Sequence, residues 1–136
     1  MKNLTLENLT RVCHGVYYGE ESQIHIEVTA ITTDSRTVEP GCLFVPIVGT
    51  RVDGHDFILD VIEKGAYATL SEKVLPDASF PYILVASALQ AVKDIAEFYL
   101  SQLNIPVVGI TGSVGKTSTK EAIAPVLKEK YKTLKT

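Results

Sequence analysis

The chain has 136 residues, 46% of them hydrophobic and 21% charged, with a formal net charge of −3. That length accommodates one compact domain, or one small domain with the opening of another, but not two complete domains. The composition excludes a disordered chain, and the scattered Lys and Arg residues exclude a nucleic-acid surface.

Thr5 is placed to cap a first helix whose apolar residues Leu6, Leu9 and Val12 share a face, with Gly15 as its stop. From residue 24 to 31, Ile24, Ile26, Val28 and Ala30 alternate with polar positions, which predicts a half-buried strand. Thr32 to Arg36 leaves it as a polar turn. Pro40-Gly41 marks a further turn, and Cys42-Leu43-Phe44-Val45 is a short apolar run suited to a strand buried on both faces. Gly49 to Gly54 is a loop. A helix follows with Asp56 as its expected cap, Phe57, Ile58, Val61 and Ile62 at helical spacing, and Gly65 as its stop.

Tyr67 to Leu70 and Tyr82 to Ala86 read as two more strands. Ser87-Ala88-Leu89-Gln90 has the form of a capping box, opening a helix of about four turns with Leu89, Val92, Ile95, Ala96 and Tyr99 as its apolar stripe. That helix ends before Asn104-Ile105-Pro106, where a domain boundary is expected. Pro106 to Ile110 then predicts an apolar strand running into a glycine turn and a helix that starts near Lys116 or Thr117. Pro125 falls inside this helix and predicts a kink or an early end, because interior proline costs roughly 3 kcal/mol. The late lysines Lys128, Lys130, Lys132 and Lys135 alternate with Glu129 and apolar residues, as at a solvated helix end favoured by the helix dipole.

Cys13 and Cys42 sit in apolar surroundings without CxxC or Cys/His spacing, the pattern of buried free thiols in a reducing cytosol rather than of a disulfide frame or a zinc site. The start has no long apolar core with a small-residue cleavage site, and no apolar run approaches membrane-spanning length. A cytoplasmic protein is expected. The three histidines show no metal-ligand spacing, and no Ser-His-Asp or Cys-His arrangement stands out.

Gly112-Ser113-Val114-Gly115-Lys116-Thr117 holds the working parts of a phosphate loop. Its glycines let successive backbone N–H groups and the positive end of the next helix face an anion. Lys116 can add a cation to the terminal phosphates of a nucleotide, and the Thr117 hydroxyl is placed to ligate Mg²⁺. The strict pattern requires Gly or Ala where Ile110 stands, so this is a variant of the motif. Two polar loops, Asp34-Ser35-Arg36 and Gly49-Thr50-Arg51-Val52-Asp53-Gly54-His55, could gather donors and a guanidinium fork suited to a diphosphate. Asp34 and Asp53-Gly54 are equally ordinary turn formers, and His55 an ordinary helix-start residue, so a purely structural role stays open on the residues alone.

Three segments taken in order, Asp34-Ser35-Arg36 with Pro40-Gly41 and Leu43-Phe44-Val45, then Gly49 with Asp53-Gly54-His55-Asp56-Phe57-Ile58, then Gly109 to Thr117, resemble the Mur ligase family. The resemblance covers essentially the whole chain. It implies a small mixed α/β amino-terminal domain, residues 1–104, that docks a UDP-sugar substrate. Residues 105–136 would then be the first strand, phosphate loop and helix of a parallel-sheet ATPase domain that continues beyond Thr136. It further implies that Ser35, Arg36, Thr50, Arg51, Asp53, Gly54 and His55 hold the UDP end of the substrate, and that Gly112, Ser113, Val114, Gly115, Lys116, Thr117 and Ser118 hold ATP. Lys116 would be catalytic and Thr117 a Mg²⁺ ligand. Val114 stands where many relatives have Asn.

The implied reaction activates a substrate carboxylate with ATP as an acyl phosphate, which an incoming amine then attacks. Ser113, Lys120-Glu121 and Ala88-Leu89-Gln90 look most like the family member that joins D-alanyl-D-alanine to a UDP-N-acetylmuramoyl tripeptide. The sister reaction that adds the third amino acid, and a non-catalytic nucleotide-sugar-binding module, stay open beside it. One strand and one helix do not make a self-supporting parallel sheet, so the isolated segment is expected to be inactive and residues 106–136 poorly ordered or docked on the first domain.

Overall fold

The computed structural model describes residues 2–134. The chain forms two compact units, Met1–Leu103 and Asn104–Thr136. The first is built on a five-stranded sheet in the order β1-β5-β4-β3-β2, with β1 (Val16–Tyr18) antiparallel to β5 (Tyr82–Leu84). The remaining neighbours, β2 (Ile31–Thr32), β3 (Leu43–Phe44), β4 (Ala68–Ser71) and β5, run parallel.

The central strands are covered on both faces, as a parallel sheet requires. Leu43 and Val45 join Ala68, Leu70 and Ile83 on the side of α1 (Leu6–Val12) and α3 (Ala88–Gln102). Cys42 and Phe44 point the opposite way and pack with Ile58 and Val61 of α2 (Ile58–Glu63). The apolar run from Cys42 to Val45 thus feeds two cores by strict alternation. Each fully buried Leu, Ile or Phe removed from water in this way contributes about 1.5–3 kcal/mol.

Helix α1 begins as its residues dictate, with the Thr5 hydroxyl accepting from the Asn8 amide at 3.2 Å. At its end it is His14, with φ 51°, that takes the left-handed position expected of Gly15. The Gly15 amide donates to the Thr10 carbonyl at 2.9 Å, which completes the terminal hydrogen-bond pair.

The strand expected over 24–31 is not formed; only Ile31 belongs to one, in β2. The amides of Leu6 and Glu7, first-turn donors without intrahelical partners, donate to the carbonyls of Ile26 and Ile24 at 3.2 and 2.9 Å. Those carbonyls therefore cap α1 instead of joining the sheet, and pairing in this stretch is limited to one bridge, Thr5 with Glu27. The alternation was produced by a loop that buries Val28 against the core. Strand β1, by contrast, lay in a stretch that carried no strand expectation.

Asp53, rather than Asp56, caps the helical region after the second loop: its carboxylate accepts from the His55 amide at 2.9 Å, ahead of a 3₁₀ turn over Gly54–Phe57 and then α2. Gly65 does close α2, with its amide on the Ile62 carbonyl at 3.0 Å. Helix α3 opens at Ser87, whose hydroxyl accepts from the Gln90 amide at 3.2 Å. The Gln90 side chain does not complete the reciprocal box but turns to Asp94 at 2.8 Å. The buried stripe is Ala88, Ala91 and Ile95; Leu89, expected in it, is 56% exposed.

In the second unit the expected strand over 106–110 is not assigned, and Val107 and Val108 are 68% and 58% exposed. A strand exists only through pairing, and among the described residues this segment has no strand beside it. Helix α4 (Lys116–Lys128) passes through Pro125 without ending there. Proline's fixed φ is itself helical, so the residue removes one backbone donor while the helix continues for three further residues. Lys128 lies in its last turn and Lys130 in the turn beyond; residues 131–134 form no strand, and Lys135 of the late lysine cluster lies outside the described residues.

Candidate functional site

The two polar loops of the first unit meet at one cleft. Thr33, Asp34 and Ser35 form one wall, and Phe44, Ile47, Val52, Gly54 and Phe57 the floor and the other wall, around a volume of about 370 Å³. The cleft lies at the carboxyl ends of β2 and β3, the edge where parallel sheets present their ligand-binding loops.

The second loop is a tight hairpin. Val48 bridges Asp53, the Gly49 amide donates to the Val52 carbonyl at 2.9 Å, and Thr50 and Arg51 sit exposed at the tip. At the base, Gly54 passes directly against the strand end: its amide donates to the Ile47 carbonyl at 3.0 Å. A Cβ at position 54 would lie 2.7 Å from the Ile47 nitrogen, so only glycine fits.

Ser35 and Gly54 therefore line the cleft as the sequence suggested. Arg36 stands beside it with its side chain 85% exposed. Its guanidinium grips Asp34, Nε to Oδ1 at 2.8 Å and Nη2 to Oδ2 at 2.6 Å, while the Arg36 amide donates to Oδ1 at 3.0 Å. These hydrogen bonds from Arg36 hold the Asp34 carboxyl down at about 2. The planar guanidinium is thereby oriented, yet keeps an edge available for an anion.

Asp53 and His55 turn inward. The Asp53 carboxylate accepts from Lys73 Nζ at 2.8 Å, from the His55 amide at 2.9 Å and from His55 Nδ1 at 2.6 Å. Those three donors, Lys73 foremost, hold its pKa well below the usual carboxylate range. The His55 side chain is only 6% exposed, and its Nε2 accepts from the Glu72 amide at 2.9 Å. The family resemblance groups His55 with the residues expected to hold the UDP end of the substrate. Lys73 and Glu72, partners in this cluster, carried no motif signal, because they join it from the turn after β4.

In the second unit, Gly112 and Gly115 take positive φ, 151° and 78°, and Gly115 is the N-cap of α4. The Thr119 amide and hydroxyl both return to the Gly115 carbonyl, at 2.9 and 2.8 Å. A Cβ at Gly115 would meet nothing within 4 Å, so this glycine is required by backbone conformation rather than by crowding. Residues 112–118 are exposed, with Lys116 and Thr117 in the first turn of the helix. Open glycine backbone at a helix N-terminus suits a phosphate. Among the described residues there is no group of three or more His, Cys, Asp or Glu that could hold a metal.

A mostly parallel sheet with helices on both faces and a polar cleft at its carboxyl edge makes the first unit an α/β domain, followed by a unit in which a glycine loop opens a helix. A family model described as "Mur ligase family, catalytic domain" matches residues 27–109. The chain belongs to the Mur ligase family.

It is 38% identical over its whole length to the UDP-N-acetylmuramoyl-tripeptide–D-alanyl-D-alanine ligase of Escherichia coli, of which it covers 29%, and 36% identical to that of Bacillus subtilis over 97% of its length, again covering 29%. It also matches the UDP-N-acetylmuramoyl-L-alanyl-D-glutamate–2,6-diaminopimelate ligase of Chlorobium phaeobacteroides at 43% identity over 78% of this chain and 22% of that one. Among solved structures, MurF from Acinetobacter baumannii superposes with a TM-score of 0.82 at 30% identity, over 93% of this chain and 28% of that one. MurF ligase from Thermotoga maritima in complex with ADP gives 0.68 at 38% identity, over 74% and 23%. The chain thus spans less than a third of the length of the curated relatives it matches. No helix among the described residues is long and apolar enough to cross a membrane.

Proposed function

We propose that this chain is the amino-terminal segment of an ATP-dependent amide-bond ligase of peptidoglycan synthesis, which joins D-alanyl-D-alanine to a UDP-N-acetylmuramoyl tripeptide. The observation that carries the reading is the full-length match to ligases of that name, from the first helix through the glycine loop. Residues 1–104 are the docking domain for the UDP precursor, and residues 105–136 open the ATP-binding domain. The reaction belongs in the cytoplasm, where ATP and nucleotide-sugars are made and where the two buried free thiols stay reduced. Its product feeds cell-wall growth, and so cell shape and division.

At the first site Ser35 and Gly54 line the cleft and Arg36 offers its oriented fork to the diphosphate, with Thr50 and Arg51 closing over from the hairpin tip. Asp53 and His55 serve the same site from beneath the hairpin. At the second, the backbone amides of Gly112, Ser113, Val114, Gly115 and Ser118 surround the ATP phosphates, and Lys116 brings a positive charge to the transferring phosphoryl group. Thr117 offers its hydroxyl to Mg²⁺, which when bound neutralises phosphate charge. The substrate carboxylate takes the γ-phosphoryl group as ADP leaves; the amine of D-alanyl-D-alanine then attacks the acyl carbon and expels phosphate.

The diaminopimelate ligase match, higher in identity over a shorter stretch, favours a second reading in which a single third amino acid is the amine. Calorimetric titration of the chain with UDP-N-acetylmuramoyl tripeptide and UDP-N-acetylmuramoyl dipeptide, with Arg36→Ala as control, tests both. Preferential tripeptide binding that Arg36→Ala abolishes supports the first reading, and dipeptide preference the second. A folded chain that binds neither better than an unrelated UDP-sugar overturns the docking assignment.

A further inference from the structure

A backbone amide can only donate, so the 2.9 Å contact from the Glu72 amide fixes His55 Nε2 as an acceptor. The ring proton therefore resides on Nδ1, 2.6 Å from Asp53 Oδ1. Both nitrogens of this enclosed ring are spent inside the protein. Glu72 in turn accepts the amide of Ala88, the first residue of α3, on its Oε1 at 2.6 Å. Lys73, next to Glu72, closes the circuit on Asp53 at 2.8 Å. A continuous run of hydrogen bonds thus leads from the hairpin base, through one imidazole, to the turn after β4 and the start of α3. A side chain so placed has no ring nitrogen left for a ligand, yet it ties the base of the hairpin, already closed by the Gly49–Val52 and Gly54–Ile47 backbone bonds, to the turn after β4.

We infer that His55 is a positioning residue for precursor docking: as a neutral strut between Asp53 and the Glu72 amide, it holds the Gly49–Gly54 hairpin so that Thr50, Arg51 and Gly54 meet the UDP precursor, and it does not touch the precursor itself. The inference rests on the docking reading above and departs from a direct ligand role for His55. Replacing a ring that serves as donor at one end and acceptor at the other separates the two functions. His55→Asn can restore a donor near Nδ1, His55→Gln an acceptor near Nε2, and His55→Phe fills the space with neither.

The test combines two readouts on the 136-residue chain. Without ligand, nuclear magnetic resonance measures the scalar coupling across the Glu72 N–H···Nε2 hydrogen bond and the exchange of the Glu72 and Gly54 amides. With ligand, calorimetry measures UDP-N-acetylmuramoyl tripeptide affinity. The coupling should be present in the wild type. His55→Phe should speed Glu72 and Gly54 exchange and weaken the precursor by about tenfold, the scale of one net hydrogen bond. His55→Gln should recover Glu72 protection and part of the affinity, which removal of a ligand contact would not predict. An absent coupling, or an affinity loss in His55→Phe with unchanged exchange in the ligand-free protein, would overturn the inference. The wild-type coupling needs no variant, so a misfolded His55→Phe does not remove the test. A wild type that shows the coupling but binds no precursor would refute the docking reading while establishing the strut.

Discussion

Gly54 and Ile47 hold the two ends of the Gly49–Gly54 hairpin together: the Gly54 amide donates to the Ile47 carbonyl at 3.0 Å, and a Cβ at Gly54 would lie 2.8 Å from that same oxygen. The contacting atoms are backbone on both sides, so the crowding cannot be relieved by a rotamer change. Gly54→Ala is expected to destabilise the first unit by about 1–3 kcal/mol, as an overpacked site does. Thermal unfolding by circular dichroism checks this; an unchanged Tm would mean that the hairpin is free to shift.

The Arg36 hydrogen bonds that depress Asp34 to about 2 make a pH prediction. A carboxylate with a folded pKa below its unfolded value of about 3.9 lends stability that is fully present above that value and lost as pH falls towards 2. Both side chains are exposed, so the effect on global stability is small. The clear signal is local: the Asp34 carboxyl resonance should titrate near 2 in the wild type and move up towards the ordinary range in Arg36→Ala. Identical titrations in the two proteins would show that the fork is not formed in solution.

Ser87 caps α3 through the Gln90 amide at 3.2 Å, and Glu72 takes the Ala88 amide at 2.6 Å, so two of the first-turn donors are satisfied by different side chains. Ser87→Ala should cost about 0.5–2 kcal/mol. Combined with Glu72→Gln, which keeps an oxygen in place, it should cost little more. Urea unfolding of the single and double variants measures both quantities.

Helix α3 was legible because a side-chain cap, a long amphipathic stretch and a breaker all agreed. Of its expected stripe Ile95 is buried and Val92 and Tyr99 pack against the core, whereas Leu89 and Ala96 face out and the small Ala88 and Ala91, which carry little hydropathy signal, are buried in their stead. Cys42 to Val45 was legible as a two-faced strand for the converse reason, having no polar alternative. The 24–31 stretch misled because period-two burial says nothing about where the carbonyls go, and those of Ile24 and Ile26 go to the amides of α1. At the site, the residues alone marked Ser35 and Gly54 only as parts of polar turns, and it was the family resemblance that singled them out, whereas the inward position of His55 depends on Glu72 and Lys73, which approach from another loop and leave no local trace.

Gly115, at φ 78° with open space where a Cβ would go, separates backbone strain from crowding. Gly115→Ala should cost about 1–2 kcal/mol of local strain through the left-handed conformation alone. It should weaken ATP binding while leaving the unfolding of the first unit unchanged. In the complete ligase, Lys116→Ala should lower turnover by roughly a hundredfold or more, the scale for removing one charge-stabilising donor, with little change in precursor affinity. Turnover that survives Lys116→Ala would remove this lysine from the phosphoryl-transfer step.

The most direct test of the central claim is a mass-spectrometric ligation assay on the complete protein that contains this chain, supplied with Mg-ATP, UDP-N-acetylmuramoyl tripeptide and D-alanyl-D-alanine. The account predicts a pentapeptide product formed with one phosphate released per ligation, lost when ATP is omitted and lost in Lys116→Ala. A folded, ATP-binding protein that makes no D-alanyl-D-alanine-dependent product would contradict it.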